Sequence, residues 1–219
     1  MPARRGAPPP GPARVRPGAP RPTVIVFAKT PRPGRVKTRL ARGVGPIEAA
    51  RWYRAQTRAC LRRLARDPRF DLALAVSPDA EGLTTRAFPP GLRRFAQGPG
   101  DLGARMARAL RGPGAGRARW RGPVLLIGSD IPGATPAVLA RALRALGGAE
   151  AVFGPAVDGG FWLVGARNGA ALPAGLFQGV RWSGPHALSD SLDTLGGRRV
   201  GVADTLCDVD EAADLPRRA

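Results

Sequence analysis

The sequence contains few cysteines and lacks long apolar segments. Its 219 residues include two cysteines, Cys60 and Cys207, so neither a C-x-x-C motif nor a disulfide framework is present. Scarce cysteine is typical of proteins from a reducing compartment, and we expect a cytoplasmic location. No apolar segment approaches the roughly 20 residues that cross a membrane. Arg4 and Arg5 are not followed by the apolar segment of a signal peptide, so we expect no membrane partner.

Acidic and aromatic residues are also scarce. The chain has 16 acidic and 35 basic residues, a net charge of +19, and 5% aromatic residues. Such charge suits a non-catalytic nucleic-acid-binding protein, but proteins that bind single strands also place aromatic side chains among the basic ones. Only Lys29 and Lys37 are lysines, and the excess of Arg, Ala, Gly and Pro is what GC-rich codons produce. We therefore expect no nucleic-acid partner and keep this class as an alternative.

The positive charge is concentrated in the first half of the chain. Residues 1–121 contain 27 basic and 6 acidic side chains, whereas residues 122–219 contain 8 and 10. Residues 1–22 are rich in Pro and Arg with almost no apolar residue, which predicts a disordered or extended tail. Two roles remain open for this tail, an arm that contacts RNA and an extension without function. Residues 23–219 have the length of one domain, and we predict a single one.

Short apolar segments alternate with amphipathic ones after the tail. The apolar segments predict strands at 23–28, 71–76, 92–96, 124–127, 151–154, 161–164 and 199–202. Spacings of three and four predict helices at 46–66, 101–110, 135–146, 186–195 and 210–215. This alternation predicts an α/β fold, with a doubly wound, mostly parallel sheet and helices on both faces. Such sheets bind ligands beyond the carboxyl ends of their strands.

The loop after the first predicted strand carries positive charge. Residues 29–39 include five basic side chains and no acidic one: Lys29, Arg32, Arg35, Lys37 and Arg39. Five cations at the carboxyl end of a strand suit a phosphate or diphosphate. Neither the P-loop nor the G-x-G-x-x-G pattern is present, and a single glycine, Gly34, leaves binding to the side chains. The alternative is a basic surface loop.

Asp130 follows the predicted strand 124–127, in the segment Gly128-Ser-Asp-Ile-Pro132. A carboxylate at the end of a buried strand needs a cationic partner. Mg²⁺ or Mn²⁺ would suit it, because hard cations take oxygen ligands and share them with substrate phosphates. The alternatives are a helix N-cap and an acceptor for a ribose hydroxyl.

Further polar segments have two interpretations each. Asp158 precedes two glycines that permit close approach to a ligand, or it belongs to an Asp-Gly turn. Asp101 and Arg105 lie beside glycines at the start of a predicted helix. The alternative to a binding role there is an N-cap and an i,i+4 ion pair. The carboxylates of 208–215 either cap the last helix or lie near the metal. The single histidine, His186, has no acid and serine at a recognisable spacing, so we interpret it as structural.

Six of these segments together resemble a known family. The chain is similar to the bacterial GT-A-type nucleotide-diphospho-sugar transferase-like proteins, which include the arsenosugar-biosynthesis glycosyltransferases and transferases associated with radical-SAM and selenoprotein operons. The segments occur in the family's order: F-A-K-T-P-R-P-G-R-V-K-T-R-L (27–40), Q-G-P-G-D-L-G-A-R-M (97–106), I-G-S-D-I-P (127–132), G-P-A-V-D-G-G-F-W-L-V-G (154–165), R-W-S (181–183) and D-V-D-E-A-A-D-L (208–215). The resemblance implies a GT-A-like fold, a nucleotide at the carboxyl edge of the sheet, and a divalent metal, Mg²⁺ or Mn²⁺.

The resemblance also implies an activity and a set of site residues. We expect a glycosyltransferase that moves a sugar from a nucleotide-diphosphate donor to a small-molecule acceptor. The alternative is a nucleotidyltransferase, similar to guanylyltransferases, that uses a nucleoside triphosphate. Asp130 is the expected metal ligand, and Asp158 is expected to ligate the metal or act as the base for the acceptor. The expected nucleotide- and phosphate-binding residues are Lys29, Arg35, Lys37, Arg39, Asp101 and Arg105.

Overall fold

A computed structural model describes residues 20–113 and 119–215 of the chain. Most of the predicted tail, residues 1–19, lies outside the described residues. The last part of that tail contacts the sheet: Arg21 donates to the carbonyl of Pro68 at 2.6 Å and pairs with Asp71 at 3.2 Å. The described structure therefore begins before the predicted boundary at Thr23.

Seven strands and six α-helices are present in the described residues. The strands are β1 (Thr23–Lys29), β2 (Asp71–Ser77), β3 (Arg93–Ala96), β4 (Val124–Gly128), β5 (Ala151–Pro155), β6 (Phe161–Ala166) and β7 (Val200–Val202). The helices are α1 (Thr38–Val44), α2 (Pro46–Ala65), α3 (Asp79–Thr84), α4 (Leu102–Arg111), α5 (Pro136–Gly147) and α6 (Ala187–Asp193). Short 3₁₀ helices lie at Gly169–Ala171 and Ala212–Asp214. No helix in this part of the chain is long and apolar enough to cross a membrane.

The strands form one sheet in the order β3-β2-β1-β4-β6-β5-β7. Strand β6 pairs antiparallel with β4 and β5, while every other pairing is parallel. The prediction of an α/β fold with a mostly parallel sheet is therefore confirmed. The chain runs outward from β1 to β3 and then returns to place β4 on the other side of β1. This reversal of strand order opens a crevice at the carboxyl ends of β1 and β4, where doubly wound sheets bind ligands.

Helices cover both faces of the sheet, as predicted. Successive side chains of a strand point to opposite faces. Val24 and Val26 therefore lie in a cluster with helices α2 and α5, whereas Ile25 lies in a second cluster with α4 and the segment 172–195. Each fully buried aliphatic side chain contributes about 1.5–3 kcal/mol to this packing. Two apolar layers thus hold the ends of β1 and β4 in place.

Several short elements differ from the predictions. Helices α1 and α3 were not predicted, because each is six or seven residues long and each buries one residue, Leu40 and Gly82 respectively. The predicted helix at 210–215 is wrong, since only the 3₁₀ turn Ala212–Asp214 forms there. Asp214 accepts hydrogen bonds from the backbone N–H groups of Asp210 and Glu211, at 2.9 and 2.8 Å, which fixes the turn.

Candidate active site

A cleft of about 600 Å³ lies at the carboxyl ends of β1 and β4. Its walls come from the loop after β1, the start of α4, the end of β4 and the C-terminal segment. The charged side chains that line it are Lys29, Arg35, Lys37, Arg39, Asp101, Arg105, Asp130 and Asp210. The structure thus brings together every predicted site residue except Asp158.

The ammonium group of Lys37 lies at the centre of this cleft. Its Nζ is 2.6 Å from Oδ2 of Asp130, 2.7 Å from Oδ1 of Asp210 and 3.5 Å from Oδ2 of Asp208. The Lys37 side chain is 7% exposed, so these ion pairs are largely shielded from water. Arg39 donates from Nη1 to the second oxygen of Asp210 at 2.9 Å. We call Asp130, Asp208 and Asp210 the carboxylate cluster.

Burial and neighbouring charges shift the pKa values in this cluster. Burial lowers the pKa of Lys37, but Asp130 and Asp210 together outweigh burial and raise that pKa above its ordinary value. Burial raises the pKa of Asp208 to about 6, opposed by the charge of Lys37 and reinforced by Asp210 and Asp130. Burial also acts to raise the pKa of Asp210, but hydrogen bonding and attraction to Lys37 outweigh it, so that pKa is lowered. Lys37 is therefore charged at neutral pH.

Asp208 makes stability depend on pH in the metal-free protein. Because its pKa rises from 3.8 to about 6 on folding, the folded state holds more protons than the unfolded state between these values. The contribution of Asp208 to the free energy of unfolding is therefore expected to fall as the pH rises from 3.8 to about 6. Urea denaturation with a chelator across this range measures the slope.

The variant Asp208→Asn is expected to remove this contribution, so that its free energy of unfolding changes more positively with rising pH than that of the wild type. Asp190→Asn is a control of opposite sign, because Arg181 hydrogen-bonds the Asp190 carboxylate and holds its pKa below its ordinary value. The stability that Asp190 contributes is present above its ordinary pKa and is lost as the pH falls below it. Equal slopes for the wild type and Asp208→Asn would contradict the assignment.

The carboxylate cluster suits a divalent cation in ligand type. Its atoms are hard carboxylate oxygens, which Mg²⁺ and Mn²⁺ prefer. No group of three or more His, Cys, Asp or Glu side chains in residues 20–113 and 119–215 is arranged as a ready metal site. The oxygens of Asp130 and Asp210 instead converge on a cation of the protein itself, the Lys37 ammonium. The cluster is thus built around positive charge.

A buried hydroxyl pair supports the floor of the cleft. Tyr53, from α2, accepts a hydrogen bond from the backbone N–H of Lys29 at 2.9 Å, and its hydroxyl lies 2.8 Å from Oγ of Ser129. Tyr53 and Ser129 are 5% and 2% exposed. The pair therefore ties the end of β1 to the residue that precedes Asp130.

Removing the hydroxyl of Tyr53 is expected to destabilise the protein. In Tyr53→Phe, Ser129 and the Lys29 N–H lose a partner in a buried setting, which costs about 1–3 kcal/mol. Urea denaturation measures the loss. A double-mutant cycle with Ser129→Ala isolates the shared bond, and strictly additive effects of the two variants would contradict the coupling.

Gln97 is fixed at the inner wall of the cleft. Its Nε2 donates to the carbonyls of Ala75 and Ala28, at 3.0 and 3.3 Å, and its backbone carbonyl accepts from Arg108 at 2.8 Å. Gln97 is 4% exposed and lines the cleft. Its amide therefore joins β1 and β2 beneath the ligand space.

The basic side chains of the loop after β1 lie on two surfaces. Lys29, Arg35 and Arg39 line the cleft. Arg32 does not, because its Nε donates to the carboxylate of Glu81 at 2.5 Å on α3. Lys37 and Arg39 are both bound to the carboxylate cluster, so Lys29 and Arg35 remain from this loop to meet an anion.

At the start of α4, Asp101 caps the helix, which was one of its two interpretations. Asp101 accepts from the N–H of Ala104 at 2.8 Å as the N-cap. Arg105 donates to the carbonyl of Gly100 at 2.8 Å. The described residues show no ion pair between Asp101 and Arg105. Both side chains line the cleft, and their nucleotide-binding role stays a prediction.

Asp158 lies in a second, smaller cavity of about 210 Å³ beyond Asp130. Leu102, Gly128 and Asp130 line both this cavity and the cleft, so the two spaces adjoin. Asp158 accepts from the N–H of Gly160 at 2.9 Å, and Gly159 has a φ of +85°, so the predicted Asp-Gly turn is present. Asp158 is not among the partners of Lys37, and its metal or base role stays a prediction.

Some site residues were not assigned by sequence reasoning. Asp208 and Asp210 had two open interpretations, and in the structure they lie at Lys37 while Asp214 does the capping. Tyr53 falls within the predicted helix 46–66, and no local signal marks its hydroxyl as part of the site. Gln97 belongs to a quoted segment, and no local signal marks it as a buried tie between strands. His186 is exposed, and its carbonyl accepts from Ser189 within α6.

The sequence profile of a bacterial family described as "uncharacterized protein conserved in bacteria (DUF2064)" matches residues 60–184. The matched region includes Asp130 and Arg105, and it contains neither Lys37 nor Asp210. A comparison with curated proteins gives no match.

Solved structures share the fold. The chain is similar to a "putative nucleotide-diphospho-sugar transferase" from Desulfovibrio desulfuricans, with 30% identity over 87% of this chain and 82% of that one and a TM-score of 0.73. The 4-diphosphocytidyl-2C-methyl-D-erythritol synthase of Anaerococcus prevotii is 12% identical over 90% and 95% of the two chains, with a TM-score of 0.58. Rv0371c of Mycobacterium tuberculosis, solved as a complex with manganese, is 19% identical over 90% and 96%, with a TM-score of 0.51.

Proposed function

The chain belongs to the bacterial family DUF2064 and to the GT-A-like, nucleotide-diphospho-sugar transferase-like proteins, and from this premise we propose that it is a metal-assisted glycosyltransferase. It would move a sugar from a nucleotide-diphosphate donor to a small-molecule acceptor. The names of its structural neighbours support a transferase.

One observation carries this proposal: the cleft combines cations that lie outside the carboxylate cluster with the cluster itself. Lys29, Arg35 and Arg105 line the cleft, and so do Asp130 and Asp210, which pair with Lys37. A diphosphate needs cations along its oxygens, and a divalent cation needs the carboxylates. A nucleoside diphosphate with a bound cation matches both requirements.

In the transfer, the bond between the anomeric carbon and the distal phosphate oxygen breaks, and the acceptor oxygen forms the new bond. The leaving diphosphate gains negative charge, which Lys29, Arg35 and Arg105 stabilise. A divalent cation held by Asp130 and the neighbouring carboxylates would supply Lewis-acid stabilisation of the same charge. Asp158, in the adjoining cavity, is the proposed base that takes the proton of the acceptor hydroxyl.

The alternative is a nucleotidyltransferase that releases pyrophosphate from a nucleoside triphosphate. The fold is shared with a synthase of 4-diphosphocytidyl-2C-methyl-D-erythritol, which favours this candidate. The loop after β1 favours a diphosphate, because several of its N–H groups already have partners. Lys29 N–H donates to Tyr53, Thr30 N–H to the Ser77 carbonyl at 2.8 Å, and Arg32 N–H to the Thr30 carbonyl at 2.9 Å. Few backbone donors are then left to hold a triphosphate.

A donor screen separates the two candidates. The protein is incubated with Mn²⁺ and nucleotide-diphosphate sugars of the four common bases, and binding is followed by thermal shift before product analysis. We expect stabilisation that requires Mn²⁺ and release of nucleoside diphosphate in the presence of an acceptor. Pyrophosphate release from a nucleoside triphosphate, without nucleoside diphosphate release from any sugar donor, would reverse the choice.

A further inference from the structure

We propose that Lys37 couples the two ligands of the cleft. Its ammonium holds the carboxylate cluster until a divalent cation replaces it there, and it then turns to the diphosphate. Cation and diphosphate therefore each bind weakly alone and strongly together. This inference rests on the proposed function, because it assumes that both ligands enter the cleft.

The first argument is that carboxylates and burial enclose the ammonium. Lys37 donates to Asp210 at 2.7 Å and pairs with Asp130 at 2.6 Å and Asp208 at 3.5 Å, and its side chain is 7% exposed. In this arrangement the ammonium faces the carboxylates and not an incoming phosphate. The predicted phosphate contact therefore requires that Lys37 leave the cluster.

The second argument is electrostatic. The cluster has three carboxylates, the Lys37 ammonium compensates one charge, and Arg39 reaches only Asp210 from a side chain that is 52% exposed. A diphosphate that enters alone meets this excess of negative charge. A divalent cation that enters alone has to displace an ammonium from buried ion pairs, and that ammonium would lose its partners. With both present, the cation neutralises the carboxylates and the ammonium gains phosphate oxygens.

The third argument is that the backbone of Lys37 is fixed while its side chain is long. Val36 is 4% exposed and packs in a cluster with Ala50 and Tyr53 of α2. Lys37 itself is the N-cap of α1, with φ +46° and ψ +52°. The flexible four-carbon stem therefore moves the charge between two partners without moving the loop. Arg39 does not share this role, because it pairs with Asp210 alone and its side chain is 52% exposed.

The scarcity of lysine provides a direct test. Lys29 and Lys37 are the only lysines, so a chain labelled with ¹⁵N-lysine has two side-chain ammonium signals. Lys29→Arg assigns them, since it retains the charge. Spectra are compared for the protein alone, with Mg²⁺, with inorganic pyrophosphate and chelator, and with both. Binding in the cleft is followed separately by the backbone amide of Gly128, in a second sample labelled uniformly with ¹⁵N.

We expect the Lys37 signal to shift when Mg²⁺ and pyrophosphate are both present, and to stay unchanged with either alone. A Lys37 shift with one ligand alone overturns the coupling. An unchanged Lys37 signal while Gly128 and Lys29 respond to the pair also overturns it, yet leaves the proposed function standing. If no signal of the cleft responds to any ligand, the coupling and the proposed function both fail.

A binding measurement adds an independent result. The free Mn²⁺ signal in electron paramagnetic resonance gives the affinity of the phosphate-free protein for Mn²⁺. Lys37→Met removes the competing ammonium, so we expect about 10-fold tighter Mn²⁺ binding, within the 5- to 150-fold range typical of coupling between sites. In the wild type, Mg²⁺ should tighten pyrophosphate binding by a similar factor, a measurement that does not depend on the folding of the variant. Mn²⁺ binding that weakens in Lys37→Met, or no effect of Mg²⁺ on pyrophosphate in the wild type, overturns the proposal.

Discussion

Replacing Asp130 by asparagine is expected to slow sugar transfer by about 10²–10³-fold, the loss typical of removing one group that stabilises transition-state charge. Asp130 lies at the end of β4, where it contacts Lys37 and lines both the cleft and the adjoining cavity. Asparagine keeps the shape and removes the negative charge that a divalent cation requires. The rate of nucleoside diphosphate release and the affinity for Mn²⁺ should fall together.

Asp193→Asn is the matched control for this variant. It makes the same chemical change in an exposed aspartate of the last turn of α6, away from the cleft. We expect it to retain the wild-type rate and Mn²⁺ affinity. If Asp130→Asn transferred sugar at the wild-type rate with a normal Mn²⁺ affinity, the proposal that Asp130 ligates a metal would be wrong.

Arg35→Met is expected to raise the KM for the donor by about 10- to 100-fold, the equivalent of one charged hydrogen bond to a diphosphate. Arg35 lines the cleft from the loop after β1. Its charge meets the diphosphate in the bound donor and in the transition state alike. We therefore expect kcat to change much less than KM. Initial rates over a range of donor concentrations separate the two constants.

The same loop offers a control of the same residue type. Arg32 is three residues away but pairs with Glu81, outside the cleft. Arg32→Met removes the same charge from the loop and should leave the KM for the donor within about twofold of the wild type, since the local contact is absent. Equal increases in KM for both variants would mean that overall charge, and not a contact in the cleft, attracts the donor.

The elements that local patterns predict well are those buried along their length. Strand β1 and helix α2 could be predicted because a continuous apolar segment and a three-four spacing are visible in neighbouring residues. The position of Asp130 followed from the same logic, since it comes directly after a buried strand. Helices α1 and α3 bury too little to leave a pattern, and the antiparallel pairing of β6 depends on contacts between distant segments.

The partner of Lys37 shows why the site could be predicted only in part. Sequence analysis placed Lys37 in a basic loop and predicted that it binds a phosphate. In the structure its hydrogen-bond partner Asp210 lies 173 residues further along the chain. A local pattern contains no information on such a pair. Of the two interpretations left open for 208–215, capping describes Asp214, which fixes a 3₁₀ turn. Asp210 meets Lys37, and a metal near these carboxylates stays a prediction.

The C-terminal segment 203–215 is expected to give the site an opening equilibrium of its own. It is attached to the sheet through a few bonds, among them Leu206 N–H to the Pro155 carbonyl at 3.1 Å and Trp162 Nε1 to the Asp204 carbonyl at 2.8 Å. Segments held in this way detach at a lower free energy than the core. Detachment would carry Asp208 and Asp210 away while Asp130 stays on β4. For a cation bound at the proposed site, the docking of segment 203–215 would therefore set the fraction of molecules able to hold it, and hydrogen exchange of Leu206 would report this docking.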